Sequence, residues 1–239
     1  MYPDDCVQSI IATPDQWWQP NDAHELVRGA LIYAFIPHVD QTPYGFEPIG
    51  RADPTSHSTA KIKVSPLKVD APLKQTQLPV AAMPLFQGEV WAAYRAKVRP
   101  CLVLGFTNHR PVDRRLTKGM PRYVTAPTLV VAPHYGVDKD GTRAGFNKVF
   151  VERIRHCEYP GFVWNPIPSA NGPRESILRL DQLQPIGAHH HSFRVSEYRL
   201  SADALGILDE LMQWQIHGGV PEGGHVAAYW EVLASMVDA

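Results

Sequence analysis

Short apolar stretches bounded by glycine or proline recur along the second half of the chain, with the length and β-branched content of strands. One of them, RPCLVLGF (Arg99–Phe106), is apolar on both faces, which predicts a central position in a sheet. The other predicted strands are QGEVWAAY (Gln87–Tyr94), TLVVAP (Thr128–Pro133), GFNKVFVERI (Gly145–Ile154) and RESILRLDQLQPIG (Arg174–Gly187). Five short strands followed by a helix predict a small β-barrel with the helix packed on it.

The pattern changes to a helical period near residue 200. The stretch LSADALGILDELMQWQIHGG has Ser201 as a possible N-cap and Gly218 at its end. Its predicted core-facing side consists of Ala204, Leu208, Leu211 and Gln215, widened by Ile207 and Trp214. A glycine-rich joint follows, and HVAAYWEVLASMVDA predicts a last short helix.

The N-terminal third carries a weaker pattern. It predicts a short helix in QPNDAHELVRG, capped by Asn21, then a buried strand in GALIYAFIP and an edge strand in AKIKVSP. Residues 40–59 predict a turn-rich loop, and residues 67–84 predict an extended linker. We therefore expect an N-terminal α/β extension (1–80), a barrel (81–217), and a joint with a C-terminal helix (218–239).

Composition excludes several classes of protein. The three cysteines among 239 residues are few and widely spaced, so neither a disulfide framework nor a zinc site is expected. The N-terminus lacks the basic and apolar regions of a secretory signal. No apolar run reaches the roughly 18 residues that a membrane helix needs. We expect a soluble cytoplasmic protein that does not contact the membrane.

Charge is distributed unevenly, although the net charge is only −1. Residues 91–155 hold 13 Lys and Arg against 4 Asp and Glu. The two flanks are acidic, with 6 against 10 in residues 1–90 and 4 against 10 in residues 156–239. A basic block of this size is typical of a protein with a phosphate-rich partner, and a solvated surface balanced by its flanks is the alternative.

The predicted strand RESILRLDQLQPIG carries two charged residues at its centre. Strand alternation places Arg179 and Asp181 on one face with Ile177, and Leu178 and Leu180 on the other. One interpretation is a weak ion pair on a solvated face. The other is a functional pair, which the wider pattern of motifs favours.

Six motifs resemble, in order, those of the PemK/MazF/Kid family of toxin endoribonucleases, over residues 85–217. They are GEVW, RPCLVLG, VVAPHYG, RAGFNKVFV, ILRLDQLQPI and LSADALGILDELMQWQI. In that family the GEVW-like strand opens the barrel. The resemblance implies a mainly β (α+β) protein built on an SH3-like barrel with a C-terminal helix, and an activity on single-stranded RNA or mRNA.

The resemblance implies metal-free cleavage that leaves a 2′,3′-cyclic phosphate and needs no cofactor. Arg99 and Arg179 match family arginines that contact the scissile phosphate, and Asp181 matches a catalytic aspartate. Arginine suits such a role because its planar fork matches phosphate oxygens and stays charged. An acid and a base are also required. Tyr135 and Gln182 fall at positions that the resemblance assigns to RNA binding.

Two departures from the family pattern concern catalysis. The family's first loop carries a glutamate or histidine, whereas RAKV (Arg95–Val98) has neither, and Tyr135 replaces the usual Thr or Ser. His134 is a candidate for the missing base, because histidine titrates near neutral pH. The alternative is a strand-end residue that hydrogen-bonds the backbone.

A basic insertion at residues 108–127 is a second candidate RNA-binding site, with a solvated loop as the alternative. Its candidate residues are Arg110, Arg114, Arg115, Lys118 and Arg122, and Tyr123 offers a ring for base stacking. Three adjacent histidines, His189–His191, are not expected to hold a metal, because they cannot all ligate one ion and lack further ligands at suitable spacing.

Two function classes stay open. The first is a PemK/MazF-like toxin endoribonuclease, for which the resemblance adds an antitoxin protein and a second copy of the chain as partners. The second is a non-catalytic protein of the same fold that binds nucleic acid or protein. The acidic residues 1–80 are interpreted as a packed layer on the barrel, with a built-in, antitoxin-like cover as the alternative.

Overall fold

The computed structural model describes residues 2–11, 13, 16–69, 81–85, 88–106, 113, 115, 116, 118, 119, 126–139, 145–169 and 171–237. Within these residues the chain is mainly β, with eleven strands and three helices, which confirms the predicted α+β class. It divides into two compact units. Unit 1 comprises Met1–Phe35 and Val98–Ala239, and unit 2 is Ile36–Lys97.

The strands and helices follow one another in this order: β1 (Trp18–Pro20), β2 (Ala30–Pro37), β3 (Tyr44–Gly50), β4 (Lys61–Pro66), β5 (Trp91–Ala93), β6 (Ala96–Phe106), β7 (Thr128–Gly136), α1 (Lys148–Arg155), β8 (Phe162–Trp164), β9 (Ser176–Arg179), β10 (Gln184–Gly187), β11 (Phe193–Leu200), α2 (Ala202–His217) and α3 (His225–Val237). Short 3₁₀ turns cover Val7–Ile10 and Leu180–Gln182.

The main sheet has the strand order β1-β11-β2-β6-β7-β9-β8, and β10 also pairs with β7. Among the described residues this path runs open from β1 to β8, so the sheet is not closed into a barrel. The prediction of a central RPCLVLGF strand is confirmed, because β6 lies between β2 and β7 and Cys101, Leu102 and Val103 are fully buried. Burial on both faces explains its unbroken apolar run.

The neighbour of β6 corrects the predicted strand order. We expected GEVW to open the sheet beside RPCLVLGF, but β5, which begins at Trp91, pairs with β3 in a separate three-stranded sheet. Beside β6 lies β2, the predicted buried strand GALIYAFIP, and Gly29 donates its amide proton to the carbonyl of Val103. The N-terminal segment therefore supplies a central strand of the main sheet, and the strand interpretation of GALIYAFIP is confirmed.

Two predicted elements have the wrong type. Residues 148–155 form α1 rather than a strand, because the Asn147 side chain accepts a hydrogen bond from Val149 N and caps a helix that buries Val151 and Ile154. No helix forms over residues 19–29. Asn21 donates instead through its side chain to the carbonyls of Glu25 and Ser196, which ties the turn to β11.

The two C-terminal helices match the prediction. In α2 the Ser201 hydroxyl accepts from Ala204 N, and Gly218 ends the helix at φ +79°, a left-handed conformation that glycine adopts without strain. The side of α2 that packs on the main sheet is buried. Gln215, which we predicted on that side, is exposed. Among the described residues, no helix is long and apolar enough to cross a membrane.

Two apolar clusters lie on opposite faces of the sheet in unit 1. The larger one packs α2 and α3 against the sheet around Trp17, Leu102, Leu178 and Leu180. The smaller one gathers α1 and β8 around Ile154, Trp164 and Ile177. Ile177 and Leu178 are both fully buried, so the start of β9 is buried on both faces rather than solvated on one.

Unit 2 carries the second sheet, in the order β4-β3-β5. AKIKVSP forms the edge strand β4, as predicted. The prediction of a loop over residues 40–59 is wrong in part, since Tyr44–Gly50 forms β3 and pairs with strands on both sides. The predicted boundary near residue 80 adjoins residues 70–80, which lie outside the described residues.

Candidate functional site

The segment from β9 to β10 is one predicted strand that the structure interrupts. Both halves pair with β7, through His134↔Leu178 and Val131↔Gln184. Between these pairs β7 advances three residues while its partner advances six, and the extra residues form the 3₁₀ turn Leu180–Gln182. The single-strand prediction is therefore wrong at its centre. Asp181 lies on a bulged turn, not on the same strand face as Arg179.

This turn brings Asp181 back onto Arg179. The guanidinium donates from Nε to Oδ1 at 2.6 Å and from Nη2 to Oδ2 at 2.5 Å, a two-pronged contact between residues two positions apart. The side chains are only 17% and 29% exposed, so solvent screens the pair less than an open surface pair. Arg179 also lies over the ring of Phe162, its strand partner in β8, at 4.6 Å from the centroid.

Tyr135, near the end of β7, connects this pair to Arg99. The Arg99 guanidinium lies 3.8 Å from the centroid of the Tyr135 ring, and that of Arg179 lies 5.4 Å from it. The Tyr135 hydroxyl donates to Gln182 Oε1 at 2.6 Å. We call these five residues, Arg99, Tyr135, Arg179, Asp181 and Gln182, the Tyr135 cluster. Three strands and one turn of unit 1 position it.

The Tyr135 cluster carries a net positive charge, because two guanidinium groups face one carboxylate. Arg99 Nε is buried, and no hydrogen-bond partner for it occurs in the described part of the chain. A buried guanidinium N–H without a partner is costly, and an anionic oxygen is its natural acceptor. The arrangement can therefore bind an anionic group such as a phosphate.

Gly161 supports the turn that carries Asp181. Its carbonyl accepts from the amides of Leu180 and Asp181, at 2.9 and 3.3 Å. A Cβ at Gly161 would lie 3.0 Å from the Cβ of Asp181 and 3.1 Å from Gln215 Oε1. The turn thus packs directly on a residue without a side chain. Sequence reasoning missed both Gly161 and Phe162, although a glycine directly before the strand β8, which Phe162 begins, was the available signal.

His134 does not lie in the Tyr135 cluster. Its side chain is buried on β7 beside Trp18, and Nδ1 lies 3.2 Å from the Ser176 hydroxyl. Burial lowers the pKa of His134 to about 3, so the ring is neutral near pH 7. The position is structural, as the alternative considered from the sequence held, but the hydrogen-bond partner is a side-chain hydroxyl and not the backbone. We do not assign an acid–base role to His134.

Most of the basic insertion lies outside the described residues, including Arg110, Arg114 and Arg122. Arg115 and Lys118 are described and exposed. Arg115 pairs with Asp113, its neighbour two positions away, at 3.4 Å. The described residues therefore do not connect the insertion to the Tyr135 cluster, and its role in RNA binding stays a prediction.

The histidine run forms no metal centre in the described part of the chain. The rings of His190 and His191 lie 3.8 Å apart, while His189 packs near Gly187. Among the described residues, no group of three or more His, Cys, Asp or Glu is arranged to hold a metal ion. Cys6, Cys101 and Cys157 are buried free thiols.

No protein-family model matches the chain, and no curated protein or solved structure shows significant similarity to it.

Proposed function

We propose that the chain is a metal-free endoribonuclease similar to the PemK/MazF toxins, with the Tyr135 cluster as its active site. One observation carries the proposal. Arg99 lies about 80 positions before Arg179 and Asp181 in the sequence, yet both arginines lie on the Tyr135 ring and Asp181 pairs with Arg179. Cleavage of a phosphodiester requires a base, an acid and a cation. The arginines can serve as the cation and the carboxylate as the base, and the Tyr135 hydroxyl is the candidate acid.

The fold expectation extends the proposal. We propose that unit 1 is a variant of the family's SH3-like barrel, in which β2 takes the place that we first assigned to GEVW. The strand order β2-β6-β7 supports this alignment. Unit 2 is then an insertion of Ile36–Lys97 between the first two strands of the barrel.

Each cluster residue has a role in the proposed cleavage. The guanidinium of Arg99 binds a phosphate oxygen through its charge and planar fork, and Arg179 neutralises the charge that develops on phosphorus. Asp181 accepts the proton of the attacking 2′-hydroxyl. Among the five cluster residues, Tyr135 carries the hydroxyl group, and this group protonates the leaving 5′-oxygen. The products are a 2′,3′-cyclic phosphate and a 5′-hydroxyl.

A second candidate is a non-catalytic RNA-binding protein. The observation that favours it is the two-pronged pairing of Arg179 with Asp181, which occupies both carboxylate oxygens. The carboxylate would have to leave this contact before either oxygen could approach a 2′-hydroxyl. In this case the cluster binds a phosphate without cutting the strand.

The decisive experiment is an RNA cleavage assay in excess EDTA with analysis of the product ends. We expect 2′,3′-cyclic phosphate and 5′-hydroxyl ends, and a rate at least about a hundredfold lower for Asp181→Asn. The matched control is Arg194→Ala, because Arg194 also lies over a tyrosine ring, that of Tyr33 at 4.9 Å, away from the cluster. RNA binding without cleavage by the wild-type protein would favour the second candidate.

A toxin of this type would also bind an antitoxin and form a two-fold dimer. Both partners stay proposals that the resemblance supplies. Sedimentation of the purified chain tests the dimer, and co-purification with the product of a neighbouring small acidic gene tests the antitoxin.

A further inference from the structure

The small sheet of unit 2 has one apolar face. In antiparallel pairs, residues directly opposite one another project to the same side of the sheet. Tyr44 stands opposite Pro66 and Ala93, and Phe46 stands opposite Val64 and Trp91. Pro48 stands opposite Ile62 one step further along. All of these positions share one face, which we call the aromatic face.

The other side of the same sheet is polar. Glu47 stands opposite Lys63 and forms an ion pair with it, at 3.7 Å between Oε2 and Nζ. Gly45 stands opposite Ser65 and Ala92. A two-faced sheet in a protein normally turns its apolar side toward a core.

Here the aromatic face is accessible at Tyr44, Trp91 and Val64, while Phe46 is half-buried and Pro48 is buried. The exposed fraction is 42% for Trp91, 49% for Tyr44 and 56% for Val64. A contiguous accessible patch of large apolar side chains usually marks a binding surface. The side chains beside this face indicate the partner.

A depression of about 250 Å³ lies at one end of the aromatic face, where Tyr44 pairs with Ala93. Its lining is mainly polar and indicates the chemical class of the partner. The side chains are His38, Gln41, Thr42, Tyr44, Tyr94 and Arg95. The lining thus combines two aromatic rings, an amide, a hydroxyl and two groups that bind anions, and the described lining residues include no carboxylate.

These groups match the parts of a nucleotide. Aromatic rings stack on bases with little dependence on sequence, and an arginine binds the phosphate that links them. The amide of Gln41 has a donor and an acceptor for a base edge. A purely apolar protein partner would leave the Arg95 guanidinium and the Gln41 amide without a use, so a single-stranded nucleic acid fits this surface better.

We propose that unit 2 is a binding module for single-stranded RNA, in which Trp91, Phe46 and Tyr44 stack on successive bases and the Arg95 depression holds one nucleotide. The inference rests on the proposed function for its choice of RNA as the ligand. It assigns substrate binding to unit 2 and the chemical step to the Tyr135 cluster. Unit 2 ends at Lys97, two positions before Arg99.

The test measures binding and cleavage separately in the full-length chain. A labelled single-stranded RNA of 12 nucleotides is titrated in EDTA and followed by anisotropy, with Asp181→Asn in every protein so that the RNA stays intact. We expect Trp91→Ala and Tyr44→Ala to raise Kd about tenfold each, because each removes one stacked base. Trp91→Phe keeps an aromatic ring and should stay within about twofold of the parent.

Two control variants show whether shortening any side chain to alanine is enough to weaken RNA binding. Ser65→Ala lies on the polar side of the same sheet, and Ile216→Ala removes a side chain that is 60% exposed on α2. Both should bind RNA like the parent. Thermal melting of each variant confirms that unit 2 is folded. Trp91→Leu keeps an apolar side chain without an aromatic ring, so it distinguishes base stacking from apolar contact as the source of affinity.

The outcomes distinguish this inference from the proposed function. If Trp91→Ala and Tyr44→Ala weaken binding while wild-type protein cuts no RNA, the inference stands and the nuclease proposal fails. Cleavage with KM unchanged in both variants overturns the inference and leaves the nuclease proposal intact. Full binding by Trp91→Leu, or self-association that Trp91→Ala abolishes without a change in RNA affinity, identifies an apolar docking face and also overturns it.

Discussion

Arg99 is the residue on which the site depends most directly. Its guanidinium lies on the Tyr135 ring, and its buried Nε has no hydrogen-bond partner among the described residues. Removing it costs the fold one stacking contact, an interaction of about 0.5–1 kcal/mol at a partly exposed site. Its proposed partner is a phosphate, so the loss should fall on activity rather than on stability.

We expect Arg99→Ala to lower RNA cleavage at least about a hundredfold while the melting temperature changes by only a few degrees. Single-turnover cleavage and thermal unfolding are the two measurements. Arg99→Lys is the matched variant, which keeps the charge and loses the planar fork. A large fall in melting temperature for Arg99→Ala would instead show that the guanidinium is structural.

His134 makes the stability of the protein depend on pH. Burial lowers its pKa to about 3, against about 6.5 in an unfolded chain. Between these values the unfolded state binds one proton more, so stability falls as the pH falls, by about 1.4 kcal/mol per pH unit from this residue. Above about pH 6.5 the His134 side chain is neutral in both the folded and the unfolded chain, so its contribution to the free energy of unfolding no longer changes with pH.

We expect His134→Gln to remove that slope. Urea unfolding of both proteins at pH 7, 6, 5 and 4 should give free energies of unfolding whose difference narrows or reverses toward acid pH. Ile216→Ala, at an exposed side chain on α2 that does not titrate, is the control and should leave the slope unchanged. Parallel curves for wild type and His134→Gln would mean that His134 accepts a proton in the folded state.

At the scale of elements, the segment from β9 to β10 shows how a site depends on a turn. The three extra residues of the bulge place Asp181 against Arg179, and the Gly161 carbonyl holds the turn through two amide hydrogen bonds. A side chain at Gly161 would press on the Cβ of Asp181 at 3.0 Å. A side chain at Gly161 would displace Asp181, the proposed base, while leaving the residues proposed to bind RNA unchanged.

We therefore expect Gly161→Val to lower kcat for RNA cleavage about tenfold or more, with a smaller change in KM. Gly161→Ala should have a weaker effect in the same direction. Gly219→Ala is the matched control, since a Cβ there meets nothing within 4 Å. A change confined to KM would show that the turn positions RNA rather than the catalytic carboxylate.

At the scale of the whole molecule, the N-terminal segment is part of the main fold. Leu31 and Ile32 in β2 are fully buried, and β2 lies between β11 and β6. Trp17 is also fully buried, and its Nε1 donates to Asn165 Oδ1 at 2.9 Å. A built-in inhibitor laid over a finished barrel would not supply a central strand.

Deleting residues 1–80 should consequently give aggregated protein, because it opens the middle of the sheet and exposes the apolar core. The measurement is the soluble fraction after expression, with the full chain beside it. Leu31→Asp tests the same contact with a single change and should also reduce solubility. A soluble fragment that cuts RNA faster than the full chain would support the inhibitor interpretation.

Charge acts over the whole molecule as well. The basic block of residues 91–155 includes Arg114 and Arg115 in the insertion, and we expect reversing both to Glu to weaken RNA binding and to flatten its salt dependence. Each lost phosphate contact lowers the slope of log K against log salt by about one. Reversal of the exposed Lys148 and Arg174 is the control with equal charge change. Equal effects in both variants would indicate a general field rather than a binding loop.

The sequence by itself determined the elements whose signals are local. The central strand β6 and the buried strand β2 follow from apolar runs, and α2 follows from its period together with its Ser201 cap and Gly218 end. Burial and capping act over a few residues, so the printed sequence contains the full signal. The same local signals misled at Lys148–Arg155, where VFV suggested a strand and the Asn147 cap selected a helix.

Only the tertiary structure decided which strands are neighbours and where β9 breaks. The pairing of β2 with β6 joins segments on either side of the 62-residue unit 2, and no local pattern specifies such a partner. Leu178 and Leu180 share the larger apolar cluster, as strand alternation predicts, so the break after Arg179 has no signal in the apolar pattern. The carbonyl of Gly161, distant in the sequence, accepts from the amides of Leu180 and Asp181 and holds the turn. That turn, together with the packing of Arg99 and Arg179 on Tyr135, is what converts three separate motifs into one site.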